Sequence, residues 1–426
     1  MDRLRSPIRG RQELLAALRE RLTDPGPSMQ VLYGLGGCGK TTVALGLARI
    51  AMEIGCEVFW VSAANRDAFL AAMQALAGRL GASEQEVAEA WGAESSTPDL
   101  LWRYLDAAER PWLLVVDEAD DPKFLAIDGG EPADGTGWVR PSRAGLTVVT
   151  SRVGDQETWG AARCTKIDVL EPADAAAVLV DLAPAAGSTA EATVLAERLA
   201  GLPLALRAAG SYLAAPGAAG VLRRVLDQRG QMRTFTDYAT AIDDAGPSIL
   251  DASRGEHRHR ELITRTWEIM LDGLAEEGMP EARVLMRLLS CFAASPLPAH
   301  LLEVALLAEH GLIGEGCSVD RVEQVLGELS RRSLLDITER EDHIPCLAVH
   351  RLVLEANAGK LRAAPKEEGD RYWHAAVALL EAAPQPPPEI GANWGWWRLL
   401  TRTSPMCCAA SVPRIGRRRS ACWSTG

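Results

Sequence analysis

Between residues 28 and 170, short apolar or β-branched runs alternate with longer segments whose apolar positions recur every three or four residues. The runs at 30–33, 56–61, 112–117, 146–151 and 165–169 predict strands, and the segments between them predict helices. Strands separated by helices build a parallel sheet covered by helices on both faces. Ligands of such sheets sit beyond the carboxyl ends of the strands. A Gly/Pro/Asp-rich insertion at 128–143 reads as an exposed loop. From 171 the strand pattern stops. Ala/Leu-rich periods at 173–182, 190–199 and 204–213 predict helices, and the polar stretch 228–259 reads as a linker. Further helical periods follow at 260–274, 280–291, 299–310 and 319–330. Two short runs, 334–337 and 346–349, flank a charged turn, and helices closed by such a hairpin suggest a winged-helix unit. A helix at 371–380 runs into the prolines between 384 and 388, which halt it.

The chain of 426 residues is therefore expected to divide as follows: an N-terminal segment, 1–27; an α/β domain, 28–170; a helical domain with its linker, 171–258; a winged-helix domain, 259–362; the start of a helical region, 363–400; and a tail, 401–426. The tail carries no acidic residue and loses all periodicity, so it reads as disordered or out-of-frame coding sequence. Apolar residues make up 47% and charged residues 24%, as in a globular domain set. A net charge of −12 argues against a nucleic-acid footprint over the whole chain. The charged start and the lack of a long apolar run predict a cytoplasmic protein with no membrane contact. Nine cysteines without CxxC pairs predict reduced, mostly buried thiols.

The chemistry concentrates after the first strand, in Gly34, Leu35, Gly36, Gly37, Cys38, Gly39, Lys40, Thr41 and Thr42 (GLGGCGKTT). Glycines let backbone N–H groups turn inward around a polyphosphate. Lys40 would reach the β- and γ-phosphates, the Thr41 hydroxyl would hold Mg²⁺, and the helix N-terminus would add partial positive charge. The chain has five lysines against forty arginines, so a lysine at this position stands out. WLLVVDEADD then delivers acids at the end of an apolar strand: Asp117 for Mg²⁺ and Glu118 for an attacking water. GLTVVTSR, a strand expected beside that of the phosphate loop, ends in Thr150 and Arg152, which would sense a γ-phosphate or else form a cap or a surface salt bridge. In GLPLAL, Pro203 either starts a helix or closes over an adenine.

Taken in order, PIRGRQEL, GLGGCGKTT, WLLVVDEADD, GLTVVTSR, GLPLAL and LAVHRLV resemble the NB-ARC family, bacterial branch, of the signal-transduction ATPases with numerous domains (STAND), over roughly residues 6–362. The resemblance implies ATP/ADP and Mg²⁺ as ligands. It places Gly10 and Arg11 at the nucleoside, Lys40, Thr41 and Asp117 at phosphate and metal, and Glu118 at a hydrolytic position usually held by an acid. Arg152 would stand at the γ-phosphate, Pro203 on the adenine, and His350 on ADP from the winged helix. The family's Met-His-Asp triplet reads Val349, His350, Arg351 here.

The resemblance implies a signalling switch: ADP holds the chain closed, ATP opens it for self-association and an unidentified protein partner, and slow hydrolysis resets it. Two alternatives are a continuously cycling ATPase and a winged-helix DNA-binding regulator. Residues 281–362 carry 12 acids against 9 Lys and Arg, which weakens the last. With neither effector nor sensor array evident, the chain is expected to be a fragment or truncated product.

Overall fold

The structure, a computed structural model, describes residues 7–23, 29–92, 97–127, 130–132, 134–214, 233–244, 256–293, 295–339 and 344–384. The expected tail at 401–426 lies outside them. The chain forms two compact units, residues 1–273 with 331–333, and 274–330 with 334–426.

The first unit is built on β1 (Gln30–Tyr33), β2 (Glu57–Ser62), β3 (Trp112–Asp117), β4 (Gly145–Ser151) and β5 (Arg163–Lys166). They form one sheet in the order β2-β3-β4-β1-β5, with every pair parallel. Alternating side chains feed two separate cores, as the two-residue period of a strand requires. On β3, Leu114 and Val116 join Phe69, Met73, Leu101 and Trp102 on one face. Leu113 and Val115 join Leu18, Val43, Leu47 and Ala48 on the other. The first face is covered by α3 (Arg66–Arg79), α4 (Glu84–Gly92) and α5 (Thr97–Asp106), the second by α1 (Gln12–Thr23) and α2 (Lys40–Glu53). The central strands β3 and β4 are buried along their whole length and read as near-continuous apolar runs.

β5 lies a few residues before its expected position. Its residues Arg163–Lys166 are polar, so the apolar run just after them drew the expectation; buried Ile167 lies immediately past the strand. The edge strand is tied on by buried Gln30, whose amide donates to Arg163 O (2.8 Å) and Thr165 Oγ1 (2.9 Å). The insertion at 128–143 is not all exposed loop. Trp138 and Val139 are buried, and Trp138 meets the Phe69 ring edge-on at 5.7 Å. Local turn chemistry hid two core residues there.

After α6 (Gln156–Trp159), the same unit continues through α7 (Pro172–Leu182), α8 (Thr189–Arg198), α9 (Pro203–Ala214) and α10 (Phe235–Asp244). The last falls inside the expected linker, of which residues 228–232 and 245–255 lie outside the described set. Phe235, Tyr238, Ala239 and Ile242 repeat at helical spacing and are buried, and Thr234 with Asp237 closes the N-terminus reciprocally. α11 (Glu256–Glu276) follows, with its last three residues in the second unit.

The second unit contains α12 (Glu281–Leu289), α13 (Val304–Glu309), α14 (Val319–Arg331), α15 (Arg351–Ala363) and α16 (Lys366–Ala382). Strands β6 (Leu297–Pro298), β7 (Asp336–Glu339) and β8 (Pro345–Ala348) form an antiparallel sheet in the order β6-β8-β7, so the expected hairpin gains a third short strand. The expected helix at 299–310 is instead a 3₁₀ turn (Ala299–Leu301) followed by α13. Buried Asn357 accepts from Arg287 at 2.8 Å, joining α15 to α12.

Candidate functional site

β1 and β3 flank β4, so their carboxyl ends lie one strand apart with β4 between them. The Gly34–Thr42 sequence leaves β1 and runs into the N-terminus of α2, whose first residue is Lys40. Three of its glycines hold left-handed backbone, Gly34 at φ 151°, Gly37 at 78° and Gly39 at 99°. At Gly34 a Cβ would lie 2.3 Å from the Ile167 carbonyl oxygen, so no larger residue fits the turn. Gly34 N–H donates to Ser151 O (3.3 Å), anchoring the loop to the end of β4. Among the described residues, the N–H groups of Gly36, Gly37 and Gly39 donate to no protein acceptor. Three backbone donors at a helix N-terminus form the concavity that suits an anion.

Lys40 Nζ donates to the carbonyls of Gly34 and Leu35, both at 2.9 Å, so the ammonium lies folded over the loop. Cys38 is buried beneath it, and burial pushes its thiol pKa up, which keeps the sulfur protonated and inert. Leu35 is half-buried; Thr41 and Thr42 open α2 as exposed residues.

Asp117 ends β3. Its Oδ1 accepts from Thr41 Oγ1 at 3.0 Å and from Thr150 Oγ1 at 2.5 Å. Burial pushes its carboxyl pKa up, opposed by the Thr150 and Thr41 hydroxyls and the Lys40 charge. A carboxylate and a hydroxyl in hydrogen-bond contact are hard oxygen donors of the kind Mg²⁺ takes. Together with the donor-lined loop, this set fits a metal-bound polyphosphate. Glu118 follows with φ 63°, unusual for a residue with a Cβ. Its N–H donates to Thr150 Oγ1 at 2.9 Å, which pins the turn.

Arg152 pairs with Asp120, an acid without an expected role. Its Nε donates to Asp120 Oδ2 (3.0 Å) and its N–H to Asp120 Oδ1 (2.9 Å). The salt bridge expected among the roles of Arg152 is present. Asp120 was legible only as one of four acids in WLLVVDEADD; the signal for it would have been the adjacency of β3 and β4, which brings both strand ends together.

Pro203 opens α9, and its ring lies 3.8 Å from where a Gly39 Cβ would be, while Leu204 N–H donates to Gly37 O (3.2 Å). The GLPLAL segment therefore abuts the glycine loop directly. Gly10, at φ 65°, lies close against the Asp174 carboxylate of α7, Arg11 donates to Asp168 O, and Arg9 forms a two-pronged ion pair with Asp181 (2.8 and 2.9 Å). His350 belongs to the second unit. It is exposed and caps α15, its Nδ1 accepting Leu352 N–H at 3.2 Å.

Among the described residues no helix is long and apolar enough to cross a membrane, and no His/Cys/Asp/Glu group of three or more could hold a metal. None of the six described cysteines forms a disulfide; four are buried, and Cys164 and Cys317 are half-buried.

No protein-family model matches the chain, and no curated protein matches it. Among solved structures, it resembles the Pyrococcus horikoshii signal transduction ATPase with numerous domains that carries a tetratricopeptide repeat sensor. That match has a TM-score of 0.54 at 14% identity, covering 90% of this chain and 47% of that one. The chain thus spans about half the length of that protein. Weaker likenesses include Aeropyrum pernix Orc1 in complex with DNA (TM-score 0.30, 18% identity, 83% of this chain and 93% of that one). Another is Pyrobaculum aerophilum Cdc6p (TM-score 0.33, 14% identity, 89% and 97%). The parallel sheet, the glycine loop at the end of its β1 and the first of these likenesses agree on the fold, that of a P-loop NTPase.

Proposed function

We propose that the chain is a nucleotide-dependent switch of the NB-ARC kind, binding ADP and ATP with Mg²⁺. The observation that carries this reading is the meeting of Thr41 and Asp117 at 3.0 Å beside a loop with unpaired backbone donors. In this reading Lys40 leaves the Gly34 and Leu35 carbonyls for the β- and γ-phosphate oxygens. Thr41 and Asp117 hold the metal, which when bound neutralises charge on those oxygens. Gly10 and Arg11 lie at the nucleoside, and Pro203, beside Gly39, closes on the base. Glu118 takes a proton from a water that attacks the γ-phosphorus as the bond to the β-phosphate oxygen breaks, giving ADP and phosphate. Such hydrolysis resets the switch slowly.

Helices α7 to α10 form the helical domain, and residues 259–362 a winged helix whose His350 contacts ADP and favours the closed arrangement. ATP favours the open, self-associating one. The two nucleotides must bind the two arrangements with different affinity, or nothing switches.

Nucleotide released by denaturing freshly purified protein tests the reading. ADP is expected; an empty site or guanine nucleotide would count against it. Lys40→Ala should cost about 2 kcal/mol of binding, roughly thirtyfold in affinity, from the loss of a charged hydrogen-bond donor. Unchanged ATP and ADP affinity in that variant would end the proposal. A cycling ATPase would instead turn over quickly at low protein concentration. A DNA-binding regulator would show salt-sensitive duplex binding.

A further inference from the structure

The end of β4 grips the acidic turn after β3 one residue at a time. Thr150 Oγ1 donates to Asp117 and accepts the Glu118 N–H; Thr150 O accepts the Ala119 N–H at 2.8 Å. Ser151 Oγ donates to Ala119 O at 2.7 Å. Arg152 completes the series by donating its N–H and its Nε to the two oxygens of Asp120. Both bonds come from one residue to one carboxylate, so the pair closes a ring that fixes the guanidinium as well as the turn. The two side chains are only 21% and 16% exposed. Screening by water is correspondingly weak.

The residue before this ion pair anchors the glycine loop. Ser151, the residue before Arg152, accepts the Gly34 N–H, and Ser151 pairs in register with Tyr33 at the end of β1. A cation in this position would attract the terminal phosphate of a triphosphate. Asp120 offsets that cation. A diphosphate lacks the group that this effect acts on.

We propose that Asp120 is a specificity-determining residue, which biases the site toward nucleoside diphosphate by holding Arg152. The inference rests on the nucleotide-binding reading above and adds the discrimination between its two ligands. The ion pair is the resting partner of Arg152, and a γ-phosphate must compete with Asp120 for it. Asp120 acts chiefly through Arg152, which makes it a positioning residue rather than a catalytic one.

Asp120→Asn separates charge from scaffold, because an asparagine Oδ1 still accepts the Arg152 N–H. Affinities for ADP and for a non-hydrolysable ATP analogue, each with Mg²⁺, are measured on wild type, D120N, R152Q and the double variant, with thermal melting alongside. In D120N the ratio of analogue to ADP affinity should rise about tenfold. In the R152Q background the same change should shift it much less, because the residue it works through is gone. A loss of stability alone would lower both affinities without moving their ratio. An unchanged ratio in D120N, with both nucleotides still binding, overturns the inference and leaves the nucleotide site standing. An equal shift in the presence and absence of Arg152 overturns the positioning role. Absence of binding by wild type itself removes the nucleotide reading and this inference with it.

Discussion

Gly34 and Gly39 both hold left-handed backbone in the same loop, yet their surroundings differ. At Gly34 an added methyl would be driven into the Ile167 backbone oxygen at 2.3 Å, and at 3.2 Å from Cys38 Sγ. At Gly39 it would rest against Pro203 at an ordinary 3.8 Å. Gly39→Ala should therefore cost only the left-handed strain, about 1 kcal/mol. Gly34→Ala must also displace backbone and should cost roughly 3 kcal/mol. Denaturant unfolding without nucleotide checks the order; equal losses would show that the loop yields as readily at both ends. The same residues mark what the sequence exposes. Glycine, lysine and threonine in GLGGCGKTT are legible because the backbone demands each type at a fixed offset. Asp120 is not, since one acid among four becomes distinctive only through the arginine that the neighbouring strand brings to it. His350 shows the opposite limit: its structural task, capping α15, is a local contact available to many side chains.

At the scale of elements, β1 and β3 were legible to the residue because their middles are buried apolar runs, whereas the edge strand β5 is polar and the apolar positions of α10 lie within a polar stretch. α4 and α5, which cover one face of the sheet, share a device open to test. Glu86 accepts from the N–H of Ser83 (2.9 Å), the Ser83 hydroxyl (2.8 Å) and Tyr104 Oη (2.9 Å), and pairs with Arg103 at 2.6 Å. It caps α4 and ties it to α5. These donors hold its carboxyl down at about 2, led by the Ser83 backbone bond. A carboxylate with a depressed pKa contributes stability above its unfolded value, near 4.5, and loses it as pH falls toward 2. Glu86→Gln should therefore melt below wild type at pH 6, and the gap should close between pH 4.5 and 2. A gap that persists undiminished at pH 2 would mean that side-chain packing, not charge, joins the two helices.

For the whole molecule, the decisive question is whether ADP is felt by one unit or by both. A ligand stabilises only what it binds, by about 2.7 kcal/mol at a hundredfold excess over Kd. If ADP touches the first unit alone, hydrogen exchange should slow there and stay unchanged in α15 and the sheet of the second unit. The switch reading requires more: ADP must also protect the start of α15 through His350, and an ATP analogue must not. Replacing His350 by alanine would confuse this test, because the helix would lose its cap at a cost of about 1 kcal/mol. His350→Asn keeps a strong capping side chain and removes the imidazole, whose Nδ1 now accepts the Leu352 N–H. In that variant, ADP should still slow exchange around the glycine loop but should no longer slow it at residues 351–354. Protection of α15 by ADP that survives in H350N would show that the histidine is a cap and nothing more, and the closed state would need another contact to hold it.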